Sequence, residues 1–124
     1  MWLDRALIVG PHLALVTSEK EFYKALKKCG MNKTDGPLWI KTPQADATVH
    51  WMEPDGMGLT CIVCVRIREG ITGIQVAAML AHEATHVFQR FCDYIGETAP
   101  SVEFEAYSIQ SITQNLMYAY SQRI

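Results

Sequence analysis

The apolar positions of this chain follow two rhythms, one helical and one alternating. In "TSEKEFYKALKKCG", Phe22, Ala25 and Leu26 recur at helical spacing among charged residues, Ser18 and Glu21 form a capping box, and Gly30 stops the helix. The preceding "ALIVGPHLALV", Ala6 to Val16, is apolar and broken by Gly10-Pro11, which reads as a short strand, a turn and a packed segment. From Asn32 to Asp46 turn formers dominate and no period emerges. "TVHWME" then alternates Val49 and Trp51 against His50 and Met52, and "PDGMG" makes a turn. "LTCIVCVRI", Leu59 to Ile67, continues as a second strand, so the spacing predicts a β-hairpin.

The helical period returns with a second capping box, Thr72 with Gln75, and no proline or glycine interrupts the pattern from Ile74 to Ile95. Gly96 marks the stop, "ETAP" connects, and Ser101 caps a last helix through "VEFEAYSIQSITQNLMYAYSQ". With no repeat, low-complexity tract or linker, the expectation is one α+β domain over residues 1–124. It comprises an N-terminal helix, a small antiparallel sheet or hairpin, and a long helix packed antiparallel to a C-terminal one.

Composition narrows the function classes. About half of the 124 residues are hydrophobic and 19% are charged, which fits a compact domain and excludes disorder. A net charge of -2 gives no electrostatic case for nucleic acid or an anionic membrane as partner. No apolar run reaches membrane-spanning length. The segment after Arg5 contains Pro11 and His12 and lacks a small-residue cleavage site, so a structural role is expected for it over a signal peptide. His12 is expected to be structural as well, and Trp2, Trp39 and Trp51 to be core or rim aromatics.

Cys61 and Cys64 make a C-x-x-C inside the β-branched run. Strand alternation sends their side chains to opposite faces, where they cannot chelate one ion together. With Cys29 and Cys92 they read as reduced cysteines, most simply in a cytoplasm.

The chemistry is concentrated in "MLAHEATHVFQRF". On a helix His82 and His86 share a face one turn apart and aim two imidazole nitrogens at one point, as a tetrahedral zinc requires of two ligands. Glu83 is turned about a quarter of a circle away, where it takes a proton from water as general base. Leu80, Ala84, Val87, Phe88 and Phe91 form a core stripe that leaves the motif at its edge.

A catalytic zinc uses three protein ligands, so a third must come from elsewhere. No histidine follows His86, and Cys92 stands six residues on, which leaves a carboxylate or a cysteine. Eighteen residues separate His86 from Glu105, enough to turn and run back. Glu105 shares a stripe with Ile109, Ile112 and Leu116 and is expected to face inward. Glu103 lies with Tyr107, Gln110 and Gln114 on a polar face. Glu105 is the preferred third ligand, with Glu103 the alternative.

From Met79 to Ile109, "HEATH" and "VEFEAYSIQ" together resemble a zincin, specifically a minimal single-domain member of the glutamate-liganded gluzincin group. The style of "EFEAYSIQSI" is also similar to small phage-encoded proteins, which would place the chain in a host cytoplasm. The resemblance implies a zinc metallopeptidase acting on a peptide or protein substrate. It also implies that the second hairpin strand, Leu59 to Ile67, lies over the active-site helix and pairs with extended substrate. The chain departs from the group at Ile109, where many members carry an aspartate that hydrogen-bonds the first zinc histidine. Tyr107, Tyr94 and His50 are the candidates for a transition-state donor. Two other readings compete: a zinc-stabilised binding or assembly module without turnover, and no metal at all, with the histidines in helix-surface hydrogen bonds.

Overall fold

The computed structural model describes residues 9–32 and 36–123. Trp2 and the start of the apolar run at Ala6 lie outside the described residues. The elements run β1 (His12–Val16), α1 (Glu19–Lys28), β2 (Ala47–Met52), β3 (Thr60–Val65), α2 (Gly73–Ile95) and α3 (Val102–Ser121).

Local signals place the helices. The Ser18 hydroxyl accepts from the Glu21 amide, Thr72 and Gln75 close a reciprocal box, and Ser101 accepts from Phe104, so each helix starts at its expected cap. Gly96 ends α2 at φ 76°, a left-handed conformation that costs a glycine nothing.

The sheet has order β1-β3-β2. β2 pairs with β3 antiparallel, as the hairpin predicts, while β1 pairs with β3 in parallel. The sheet is thus mixed where an antiparallel one was expected. All six residues of β3 are buried, as suits a central strand whose apolar run has no wet face. Strand direction depends on the connections, and here α1 and the segment up to Asp46 carry the chain back before the hairpin begins.

Each face of the sheet has its own core. Leu15, Cys61, Val63 and Val65 pack with Leu80, Ala84, Val87 and Phe91 of α2 and Leu116 of α3. Val16, Ile62 and Cys64 pack with Phe22 and Leu26 of α1 and with Ile40. Cys61 and Cys64 fall in different clusters, as alternation requires, and all four cysteines are free. Each fully buried Leu, Val or Phe contributes about 1.5–3 kcal/mol by leaving water, so the α2 stripe secures the helix that carries the motif. α2 and α3 pack against each other, with the rings of Phe88 and Phe104 5.5 Å apart near the connector. At the far end of α3 the Arg123 guanidinium donates to the Leu15 carbonyl at 3.0 Å and pairs with Glu21, tying the last helix to β1 and α1. Among the described residues no helix is long and apolar enough to cross a membrane.

Candidate metal centre and its cleft

The middle of α2 turns its apolar stripe to the sheet and presents His82, Glu83 and His86 at the edge of β2. His82 and His86 are exposed, whereas Glu83, a quarter turn nearer the core, is only 6% exposed. Their Nε2 atoms are 3.1 Å apart. His86 Nδ1 lies 3.0 Å from Gln89 Oε1. An amide oxygen only accepts, so Nδ1 carries the hydrogen and Nε2 of His86 presents a lone pair toward His82. With no cation between the rings, His82 Nε2 donates a hydrogen bond to it. With a cation there, both nitrogens become ligands, and two nitrogens about 2.0–2.1 Å from one tetrahedral zinc stand about 3.3–3.4 Å apart. The pair therefore fits such an ion with little movement.

These residues form one wall of a cleft of about 530 Å³, also lined by Lys41, Ala47, Thr48, Val49, Trp51, Gln89, Arg90 and Asp93. Burial pushes the pKa of the Glu83 carboxyl up, and His82 and His86 oppose that rise. A buried carboxyl that opens on a cleft and holds its proton more readily than a free one is suited to proton transfer.

The other candidates are placed differently. Glu105 is exposed in the first turn of α3 and does not line the cleft; its charge bears on the Cys92 thiol instead. The expected inward orientation is thus not found. Glu105 does share the helical arc of Ile109, Ile112 and Leu116, but it sits in the terminal turn, where an ionised carboxylate keeps its water and the favourable end of the helix dipole. Glu103 is exposed too, on the polar face expected for it. Among the described residues no third His, Cys, Asp or Glu completes the His82–His86 pair.

His50 lies on the opposite face of the sheet from the cleft, 8% exposed, with its ring 4.7 Å from Phe22 and Nε2 3.0 Å from the Trp39 carbonyl. Tyr94 borders a neighbouring depression beside Trp51, and Tyr107 lies on the outer face of α3, so none of the three expected donors lines the cleft. His12 is exposed.

The strand expected to pair with extended substrate, β3, has no edge on which to do so. β3 is paired on both sides and has no free edge, whereas β2 is an edge strand whose Val49 and Trp51 line the cleft. The sheet has two edges, β1 and β2, and β2 is the one that borders the cleft, so a strand added there would pair with β2.

Gln89, Lys41 and Arg90 were missed by the sequence reading. Gln89 was detectable, because three residues after His86 it can reach that ring's far nitrogen. Lys41 comes from the aperiodic segment and carries no local signal. Comparison of the chain with family models, with curated proteins and with solved structures gives no match.

Proposed function

We propose that this chain is a zinc-dependent hydrolase acting on a peptide bond. The observation that carries the reading is the His82–His86 pair, with Nε2 atoms 3.1 Å apart, beside the buried Glu83 on a cleft. His82 and His86 would hold the ion, and Glu105, exposed in the first turn of α3 and outside the cleft, would serve as third ligand only by moving toward them. Zinc bound there would supply Lewis-acid polarisation of a carbonyl and acidify water. Glu83 takes the proton of the attacking water and passes it to the leaving amine, aided by burial that raises its proton affinity. Gln89 holds the His86 ring with Nε2 facing outward. The edge of β2 orients an extended chain across Glu83.

The test is a Glu83→Gln variant assayed for zinc content and for cleavage of a peptide library. Full zinc retention with cleavage reduced about 10²–10⁴-fold is expected. Undiminished cleavage by the variant sinks the mechanism. Zinc stoichiometry in Glu105→Ala tests the third ligand.

A second reading, a zinc-stabilised module without turnover, is favoured by the position of Tyr94, Tyr107 and His50 off the cleft. It expects chelation to lower the melting temperature and Glu83→Gln to leave partner binding unchanged.

A further inference from the structure

The cleft contains a second chemical feature, one turn beyond His86. The guanidinium of Arg90 lies over the Trp51 ring, 4.6 Å from its centroid, and Trp51 is 47% exposed on the edge strand. A cation over an aromatic face is attracted to the ring without using up its N–H donors. Among the described residues those N–H groups make no hydrogen bond, only an ion pair with Asp93 at 3.8 Å, whose side chain is 75% exposed. A contact that long between solvated groups is weak. Lys41 lines the same cleft.

We propose that Arg90, held over the Trp51 ring, forms with Lys41 a carboxylate-binding subsite that selects peptides bearing an acidic group beside the bond presented to Glu83. A planar fork of parallel donors matches a carboxylate in two-point contact. The contact with the Trp51 face restrains that fork and so lowers the entropy cost of binding. The carboxyls of Glu83 and Asp93 line the same cleft and disfavour a doubly charged phosphate more than a singly charged carboxylate. The subsite rests on the peptidase reading for the bond it positions, but not for its binding chemistry. The carboxylate comes either from a substrate C-terminus or from an Asp or Glu side chain.

The experiment uses three pentapeptides: one blocked at both ends with a central glutamate, the same with glutamine, and the glutamine peptide with a free C-terminal carboxylate. Each is titrated calorimetrically into zinc-loaded Glu83→Gln protein, which binds without turnover, and into the same protein carrying Arg90→Gln, Arg90→Lys or Lys41→Gln. One carboxylate-bearing peptide should bind about tenfold or more tighter than the blocked glutamine peptide. Which one does so identifies the source. Arg90→Gln should erase the difference, Arg90→Lys should restore only part of it, and Lys41→Gln should reduce it. Equal binding of all three peptides, binding of none, or a preference that survives Arg90→Gln overturns the proposal. If wild type cleaves peptides without regard to charge, the subsite fails and the hydrolase reading stands. An acidic preference in binding with no cleavage by wild type leaves the subsite standing and removes the hydrolase.

Discussion

His82 and His86 stand one turn apart on α2 with their Nε2 atoms 3.1 Å from each other, while Gln89 holds the far nitrogen of His86. That far contact makes His86 Nε2 an acceptor for His82, and leaves the same lone pair for the cation we propose there. The helix supplies the spacing, and Gln89 supplies the tautomer.

Removing Gln89 should therefore weaken metal binding without touching a ligand. Gln89→Ala is expected to lower zinc affinity about 10–100-fold, measured by competition with a chromophoric chelator. Loss of either histidine should abolish stoichiometric binding. An unchanged affinity in Gln89→Ala would show that the ring needs no such orientation.

His50 makes stability depend on pH. Burial holds its pKa below the usual histidine value of 6.5, reinforced by the charge of Lys41 and opposed by backbone carbonyls at Trp39 and Leu38. The unfolded chain thus takes up this proton more readily than the folded one. The contribution of neutral His50 is complete above pH 6.5 and is lost as pH falls through the lower folded value. In urea titrations between about pH 7.5 and 5, His50→Gln should flatten the part of the slope that wild type owes to this residue.

The C-x-x-C should be silent as a thiol pair. Burial raises Cys61 to about 11 and Cys64 to about 12, and the strand points them into separate cores. Cys92 is also buried, which leaves the partly exposed Cys29 to react first. A disulfide-exchange reagent at neutral pH should label Cys29 in native protein and all four thiols in denaturant. Rapid native labelling at Cys61 or Cys64 would contradict the packing.

α3 is docked through one fully buried side chain, Leu116, at 1% exposure. Leu116→Ala should cost about 2–5 kcal/mol in urea unfolding through the cavity it leaves. Gln114→Ala, on the outer face, should change stability by less than about 0.5 kcal/mol. Similar effects from the two substitutions would mean that α3 is not held through this face.

The sequence alone determined what depends on neighbours a few residues away. The three helices begin at Ser18, Thr72 and Ser101 because each cap bonds an amide three residues on. The hairpin, the split of Cys61 from Cys64, and the shared face of His82 and His86 follow from the periods of strand and helix. Whatever needed two distant segments was decided by the tertiary structure. The parallel docking of β1 makes β3 central and leaves β1 and β2 as the two edges, which no pattern within any one strand encodes. Packing of α2 along β2 brings Arg90 onto Trp51 and closes the cleft with Lys41, whose own segment has no period. Glu105 shows the same division. Its helical register was legible, but its exposure depends on where the terminal turn of α3 ends relative to α2, and there a charged carboxylate keeps its water.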